Sequence, residues 1–320
     1  MTEVTKSLKL YTGRSNPDLA ERIATHLGME LGKIKITTFK NGEIYARYLE
    51  SVRGCDVFLI QSVSGNVNDA LMELLIMTDA AKRASARTVT AVITHYGYSR
   101  QDKKSASREP ITAKLVANML TVAGVDRIIA IDLHQGQIQG FFDIPVNHLT
   151  ALPIFAEYFS AKSFDDVCVV SPDVGRAKAA KKLADLLSAD IAIMHKGRPS
   201  HNVAEITNVI GDVIGKTCII NDDMIDTAGS VDAAITALRK QGAGKIYICA
   251  THGLFSGPAY ERIANADVEE VVVCDTIAVP EGQVTDKIKV VTVAPLLADA
   301  VLNVFSEASV SELFDPDFQL

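Results

Sequence analysis

The sequence predicts an α/β protein of two related domains, each with a parallel sheet covered by helices. Short β-branched runs alternate along the chain with longer amphipathic stretches, a pattern typical of parallel sheets that are buried on both faces. The 320 residues suit two domains of about 150 residues each. A weak internal repeat divides the chain in the same way.

The strand and helix candidates follow one another in order. The apolar runs that predict strands are KITTF, DVFLI, TVTAVIT, RIIAI, DVCVV, DIAIM, KTCII, KIYICA and EEVVVC. Between them lie stretches with apolar residues at helical spacing, among them NDALMELLIMTDAAKRAS, TAKLVANMLTVAG, GRAKAAKKLADLLS and SVDAAITALRKQG. This alternation predicts successive strand–helix–strand units.

The repeat consists of a strand, a helix and a second strand in each half. RGCDVFLIQS begins the first copy and IGKTCIINDD begins the second. We expect domains of residues 1–150 and 151–320, joined near 150–153, with the last helix packing back on the first domain. Only the second copy is expected to hold a sugar-phosphate loop, since its first strand ends in two aspartates where the first copy has Gln61 and Ser62. Each second strand ends in Thr-His followed by glycine, at Thr94, His95 and Gly97 and at Thr251, His252 and Gly253.

Composition excludes several classes of protein. A net charge of −7 argues against non-specific nucleic-acid binding, which needs a basic face. No apolar run approaches the 18 residues of a membrane span, and the first residues lack the apolar core of a signal peptide. The five cysteines lie mostly in apolar runs without a C-x-x-C pair, which predicts buried free thiols in a reducing compartment, the cytoplasm.

The strongest chemical signal is TCIINDDMIDTAGSVDAAITAL. A strand ends in Asp222 and Asp223, and a run of small and hydroxyl-bearing residues then leads into a helix. Backbone N–H groups at such a helix start can bind a phosphate, and the carboxylates suit sugar hydroxyls or a magnesium-bound substrate. A capped helix explains Asp226 or Ser230 singly but not the whole run. The motif therefore predicts a site for a phosphorylated sugar, formed by Asp222, Asp223, Asp226, Thr227, Ala228, Gly229 and Ser230.

Other phosphate motifs fail. GDVIGKT, at residues 211–217, is one residue shorter than a P-loop and precedes a strand instead of following one. No G-x-G-x-x-G opens a helix after a strand, so a dinucleotide fingerprint is missing.

A basic loop follows the strand candidate that ends near Thr94. HYGYSRQDKKSASREPITAKL carries Arg100, Lys103, Lys104 and Arg108, and cations at the carboxyl end of a parallel strand can clamp a triphosphate. The alternative is a solvated charged loop.

Two further strand ends carry a histidine and a carboxylate. Asp132 and His134 follow RIIAI, and Asp173 follows DVCVV. A histidine and a carboxylate on facing strand ends would suit a magnesium–nucleotide complex, although a single histidine is more often structural.

In AIMHKGRPSHN, Lys196 and Arg198 follow a strand and could neutralise charge on a diphosphate in transit.

These stretches, in this order, resemble the ribose-phosphate pyrophosphokinases over nearly the whole chain, from LKLYTGRSNPDLAERIATHLG to SVSELF. The resemblance implies two domains of the type I phosphoribosyltransferase (Rossmann-type) fold in a homo-oligomer, a hexamer in this family. It implies Mg²⁺-dependent transfer of the β,γ-diphosphoryl group of ATP to the 1-hydroxyl of ribose 5-phosphate. The products would be 5-phosphoribosyl 1-diphosphate, which feeds nucleotide biosynthesis, and AMP. The family's active site lies where the domains meet.

Residue roles carry over where this chain matches the family's motifs. Catalysis is assigned to Lys196 and Arg198, and the metal to His134 and Asp173. ATP contacts are Phe39, Asn41 and Glu43, from a neighbouring subunit, together with Arg100, Gln101 and Asp102. Arg198 joins the predicted sugar-phosphate residues as a ribose 5-phosphate contact. Phosphate activation and ADP inhibition are implied, with Ser51, Arg53, Arg108, Ser309 and Ser311 at regulatory positions.

This chain departs from the family at three positions. Many members have aspartate at Asn41, a second glycine at Arg176 and threonine at Ser230. Serine keeps the hydroxyl and asparagine can still accept a hydrogen bond, whereas Arg176 adds a cation near the expected metal.

Two rival functions stay open at this point. A phosphoribosyltransferase that consumes the diphosphate product would share DDMIDTAGS but would not need SRQDKK. A regulatory paralogue without activity would have an altered catalytic loop, whereas Lys196 and Arg198 are both kept here.

Overall fold

The structure of the protein is a computed structural model that describes residues 7–200, 203–283 and 285–313. Side chains are described for all of these except residues 196–200, 203–207, 281 and 312. The chain forms two compact units. Among the described residues, the first unit runs to Leu149 and takes in Thr276–Ala278 and the segment that begins at Thr292. The second unit runs from Thr150 to Asp275 and takes in Val279–Val291.

The first unit is built on a five-stranded parallel sheet with the strand order β1-β4-β5-β6-β7. Every residue of β4 is buried, and the middle of the strand, residues 57–60, is a continuous apolar run. The strands are β1 (Leu8–Thr12), β2 (Ile34–Thr38), β3 (Ile44–Tyr48), β4 (Asp56–Ser62), β5 (Thr88–His95), β6 (Arg127–Ile131) and β7 (Val146–Leu149). The helices are α1 (Pro17–His26), α2 (Val67–Arg83), α3 (Thr112–Ala123) and a 3₁₀ turn at Gly136–Phe141.

The run KITTF is not a strand of the parallel sheet. It forms β2, which pairs only with β3 in a two-stranded antiparallel hairpin within the described residues. The hairpin alternates in exposure: Ile34 and Ile36 pack against the core of the unit, whereas Lys35 faces solvent. Because one face of this antiparallel pair is exposed to solvent, its strands do not need the continuous apolar pattern of the central strands.

The second unit is built on a seven-stranded sheet with the order β10-β9-β8-β11-β12-β13-β14. All neighbours are parallel except β9 and β10, which form an antiparallel hairpin at the sheet edge. The strands are β8 (Val167–Ser171), β9 (Asp190–Ser200), β10 (Val203–Ile210), β11 (Thr217–Ile225), β12 (Ile246–Gly253), β13 (Glu270–Cys274) and β14 (Ile288–Val291). The helices are α4 (Leu152–Ser160), α5 (Ala177–Leu187), α6 (Gly229–Lys240) and α7 (Ala259–Asn265).

The two units share one topology. The strands β1-β4-β5-β6-β7 and β8-β11-β12-β13-β14 occur in the same chain order and the same sheet order, and all of their pairs are parallel. In each unit an antiparallel hairpin precedes the second strand of the set. The predicted α/β fold with two parallel sheets is therefore confirmed, and so is the internal repeat in its arrangement.

The chain ends by returning to the first unit. The last helix, α8 (Ala294–Ser306), packs against α1 and buries Leu297, Ala298 and Val301. On α1 the buried residues recur at helical spacing, including Leu19 and Ile23.

All five cysteines are buried free thiols, as predicted. Across residues 7–200, 203–283 and 285–313, no helix combines the length and the apolar character needed to cross a membrane.

Candidate active site

Two aspartates lie near the carboxyl end of β11. The sequence predicts that the strand ends at Asp222 and Asp223, but β11 continues to Ile225 because its pairing with β12 extends through Ile225 and Gly253. The N–H of Asp223 donates to Oδ1 of Asp222 at 2.8 Å, which fixes the Asp222 carboxylate beside its neighbour.

The two carboxylates are an electrostatically costly pair. Asp223 is 2% exposed and the side chain of Asp222 is 22% exposed. Burial, and next the charge of Asp223, raise the pKa of Asp222 well above that of an ordinary aspartate, while Arg176 acts in the opposite direction. Perturbed carboxylates of this kind concentrate at functional sites.

The predicted sugar-phosphate loop follows at once. Ala228 adopts the left-handed conformation at φ 60°, and α6 begins at the next residue, Gly229. The first N–H groups of a helix have no intrahelical acceptor and carry partial positive charge, so the start of α6 can receive an anion. The predicted helix start is confirmed.

Three successive carbonyl oxygens of this loop accept hydrogen bonds, one of them from within α6. Asp226 O accepts from the Ser256 N–H at 2.9 Å, and Ala228 O accepts from the Asp232 N–H at 3.1 Å. Thr227 O accepts from Nη1 of Arg262 at 2.8 Å. Because three successive carbonyls are engaged in this way, the N–H groups are what the loop has left to offer a ligand.

The turn after β8 lies next to the aspartate pair, because β8 and β11 are neighbouring parallel strands. Asp173 caps this turn, its Oδ1 accepting from the Arg176 N–H at 3.1 Å. Arg176 in turn lies with Nε 4.0 Å from Oδ1 of Asp222. Asp173 was predicted to bind the metal and Asp222 the phosphorylated sugar. In the structure both lie next to Arg176.

Lys196 and Arg198 lie within a strand and not after one. The sequence predicts a strand end before Lys196, but β9 continues to Ser200 because β10 folds back and pairs with it, with Ile206 opposite Lys196. The side chains of both residues are outside the described part of the structure.

His134 follows β6 in the first unit, as predicted. The turn before it is tightly constrained: Asp132 has φ 40°, and the Leu133 N–H donates to Nε2 of His148 at 2.9 Å. That bond makes Nε2 of His148 an acceptor, and it fixes the backbone of the turn that leads to His134. Nothing in the sequence indicated His148, because its partner is a backbone group 15 residues away.

The basic loop after β5 is ordered by its own contacts. Gln101 N–H donates to Tyr98 O at 2.9 Å, and Oε1 of Gln101 accepts from the Thr112 hydroxyl at 2.5 Å. Glu109 accepts from two N–H groups, at Ser105 and Ala106. Arg100 and Gln101 are exposed and Asp102 is half-buried, so this loop presents its charged side chains at the surface of the first unit.

Phe39, Asn41 and Glu43 form the turn between β2 and β3. The Phe39 N–H donates to Glu43 O at 2.8 Å, and the Glu43 N–H donates to Oδ1 of Asn41 at 3.2 Å. Phe39 is 53% exposed, which is unusual for a large aromatic side chain.

The residues predicted to take part in regulation are all exposed and lie in the first unit: Ser51, Arg53, Arg108, Ser309 and Ser311.

The corresponding strand end in the first unit is filled by side chains. Nε2 of Gln61 donates to Glu73 at 3.1 Å, and Glu73, only 3% exposed, also accepts from Nε of Arg14 at 2.6 Å. The Ser15 hydroxyl donates to Gln61 at 2.5 Å. Where the second unit has an acidic pair and a loop with hydrogen-bonded carbonyls, the first has a polar network of Gln61, Glu73, Arg14 and Ser15.

Among the described residues, no cluster of three or more His, Cys, Asp or Glu side chains could hold a metal ion by itself. Asp173 and Asp222 nevertheless supply oxygen donors of the type that Mg²⁺ prefers.

Comparison with known proteins places both halves of the chain in one family. Residues 8–124 match the family model of the N-terminal domain of ribose phosphate pyrophosphokinase, and residues 199–315 match that of the phosphoribosyl synthetase-associated domain. The ribose-phosphate pyrophosphokinase of Clostridium perfringens is 54% identical over 317 residues, 98% of this chain and 99% of the relative. That of Caldanaerobacter subterraneus is 55% identical over 315 residues, 98% of this chain and 100% of the relative.

A solved structure is similar over the same range. The crystal structure of phosphoribosylpyrophosphate synthetase from Mycobacterium smegmatis has a TM-score of 0.90 to this chain at 45% identity, covering 94% of this chain and 100% of that one.

Proposed function

This chain belongs to the ribose-phosphate pyrophosphokinase family of enzymes, and from that premise we propose that it makes 5-phosphoribosyl 1-diphosphate from ATP and ribose 5-phosphate. The observation that supports this most directly is the second unit's loop: three successive carbonyls are hydrogen-bonded, next to the buried Asp223 and the partly exposed Asp222. The 5-phosphate would take the N–H groups at the start of α6, and the ribose hydroxyls would donate to the carboxylates.

The chemical step is a direct diphosphoryl transfer. The 1-hydroxyl oxygen attacks the β-phosphorus of ATP and its proton passes to water. The bond from that phosphorus to the oxygen shared with the α-phosphate breaks, and AMP leaves with this oxygen. Lys196 and Arg198 would stabilise the negative charge spread over the moving group. Positioning and electrostatics carry the reaction, and no covalent intermediate with the protein is needed.

Asp173 and His134 are the proposed residues for magnesium. In nucleotide-dependent enzymes this ion is held by one or two carboxylates together with substrate phosphates, which fits the few carboxylate donors near β8 and β11. When bound, magnesium neutralises phosphate charge in the transition state. Arg176 would add a fixed positive charge beside Asp222 in the same region.

The ATP contacts proposed for this chain are Arg100, Gln101 and Asp102, with Phe39, Asn41 and Glu43 from a neighbouring subunit. The exposed Phe39 ring supports such a contact, since an aromatic face can stack on an adenine. We further propose a cytoplasmic hexamer that is regulated at the exposed Ser51, Arg53, Arg108, Ser309 and Ser311.

The test is release of AMP from ATP that depends on ribose 5-phosphate. Gly229→Val should abolish it, because the added Cβ would stand 3.3 Å from Nη1 of Arg262 and the side chain would displace the guanidinium that holds Thr227 O. Calorimetry should show ribose 5-phosphate binding lost and magnesium-ATP binding kept. Loss of ATP binding with ribose 5-phosphate binding retained would reverse the assignment, and AMP release without the sugar phosphate would refute the function.

A further inference from the structure

Arg262 contacts the sugar-phosphate loop from the side of α7. Its Nη1 donates to Thr227 O at 2.8 Å, and its Nε lies 3.8 Å from Oδ2 of Asp232 in the first turn of α6. The same Nη1 lies 3.3 Å from the point where a Cβ on Gly229 would stand. The guanidinium therefore supports the loop from behind, between its backbone and the adjoining helix.

The loop needs such support because its backbone is strained. Ala228, the residue after the Thr227 carbonyl, has φ 60°, a conformation that is unfavourable for any residue with a side chain. Rotation of the peptide between Thr227 and Ala228 would turn the carbonyl oxygen toward the ligand in place of the N–H. Asp226 O and Ala228 O accept from backbone N–H groups, whereas Thr227 O accepts from a side chain, Arg262.

The charge of Arg262 acts in the same direction as its hydrogen bond. A carbonyl that accepts from a guanidinium is polarised, and the positive charge lies close to the start of α6, where a phosphate would sit. Asp232 offsets part of this charge, and solvent screens both side chains, since Arg262 is 40% and Asp232 43% exposed; the hydrogen bond to Thr227 O is therefore the larger effect.

We propose that Arg262 is a positioning residue for the 5-phosphate of ribose 5-phosphate, acting through the Thr227 peptide. This inference rests on the proposed function. Arg262 does not need to touch the ligand: it keeps the N–H groups of the loop directed at the phosphate and disfavours the rotated peptide. Its loss should therefore affect one substrate and not the other.

The experiment compares Arg262→Gln with Arg239→Gln. Arg239 is a matched control, since it also donates to backbone carbonyls, at Ala243 and Asp267, and also pairs with an aspartate, but it lies at the far end of α6. Arg262→Gln should raise the dissociation constant for ribose 5-phosphate by roughly tenfold or more. The KM for magnesium-ATP should change less than twofold. Arg239→Gln should leave both values within twofold.

A conservative variant separates positioning from simple loss of stability. In Arg262→Lys the ammonium group can still donate to Thr227 O, so this variant should bind ribose 5-phosphate more tightly than Arg262→Gln does. The two variants should have similar melting temperatures. If Arg262→Gln does not fold, the same comparison is made with Arg262→Lys alone. Ribose 5-phosphate affinity within twofold of the unmodified enzyme, or an equal loss for both substrates, would overturn the inference.

Failure of the proposed function would look different. An unmodified chain that releases no AMP with ribose 5-phosphate would refute that function whatever Arg262 does. An active chain in which Gly229→Val abolishes ribose 5-phosphate binding, but the Arg262 variants do not weaken it, would refute the role of Arg262 alone.

Discussion

Asp222 is the residue at which function and stability conflict. Burial and the neighbouring Asp223 raise its pKa, so the folded protein retains a proton that the unfolded chain has already released. The free energy of unfolding therefore falls as the pH rises from the ordinary pKa of an aspartate, about 4, through the raised pKa of Asp222 in the folded state. The cost is tolerated because the same carboxylates are needed by the proposed substrate.

Asp222→Asn should therefore stabilise the protein at neutral and alkaline pH. The amide oxygen can still accept from the Asp223 N–H, and the repulsion between two buried charges disappears. We expect the melting temperature at pH 8 to rise by about 2 °C or more, with the gain vanishing below about pH 4, where both forms are neutral. Calorimetric melts across this pH range measure it, and a variant less stable than the parent at pH 8 would contradict the account.

Lys196→Ala tests the proposed catalytic cation. A positioned ammonium interacts more strongly with the transferring diphosphate in the transition state than with ground-state ATP. Turnover should fall by about two decades or more while substrate dissociation constants change little. Arg198→Ala should behave similarly, with an added loss of ribose 5-phosphate affinity.

The control for Lys196 is Lys178→Ala, which removes an exposed lysine from α5. Its turnover should stay near that of the parent. Turnover of Lys196→Ala within about threefold of the parent, at saturating substrates where chemistry limits the rate, would remove Lys196 from the mechanism.

At the scale of elements, the β9–β10 hairpin depends on a glycine. Gly211, at φ +124°, follows β10 and crosses β9 closely: a Cβ there would lie 2.8 Å from Ile191 O and 2.9 Å from Cα of Ala192. Both are backbone atoms of β9 and cannot move without distorting the strand that carries Lys196.

Gly211→Ala should therefore cost more than Gly215→Ala. Gly215 also has a positive φ, +73°, but no heavy atom of the described residues lies within 4 Å of its Cβ position. Backbone strain alone costs about 1–2 kcal/mol, and the clash at Gly211 should add roughly 2 kcal/mol. Urea unfolding midpoints of the two variants give the difference, and equal midpoints would show that the strand yields without cost.

The central strands were predictable from sequence and the edge elements were not. Buried parallel strands such as β4 and β12 contain a continuous apolar run, residues 57–60 in β4 and 246–250 in β12, so they stand out in the sequence. The strands β3, β7 and β14 are short and only partly buried, so they lack the long apolar run that marks a central strand. Strand ends were misplaced at β9 and β11 because pairing with a neighbour, and not local sequence, decides where a strand stops.

The candidate site was predictable only where the chemistry is local. The DDMIDTAGS run lies on one strand and one helix start, and the structure keeps it together. Arg262 and His148 act on backbone groups of other segments, and a side chain that binds a distant carbonyl or N–H leaves no spacing pattern in sequence.

At the scale of the whole molecule, the last helix belongs to the first unit. Leu297 on α8 is fully buried, whereas Leu302 on the same helix is 48% exposed. Leu297→Ala should lower the free energy of unfolding by about 2–5 kcal/mol, and Leu302→Ala by well under 1 kcal/mol.

Amide hydrogen exchange locates the effect of Leu297→Ala. Exchange should rise in α1, against which α8 packs, and not in β11 of the second unit. Faster exchange confined to the second unit would contradict this division of the chain.

The return of α8 to α1 also bears on biosynthesis. The ribosome makes α1 near the beginning of the chain and α8 near its end, 268 residues later when counted from His26 to Ala294. At roughly 5–20 residues per second, the apolar face of α1 is without its partner for about 13–54 s. The first unit therefore cannot fold to completion until α8 has been synthesised, and during this interval a nascent-chain chaperone can bind the apolar face of α1.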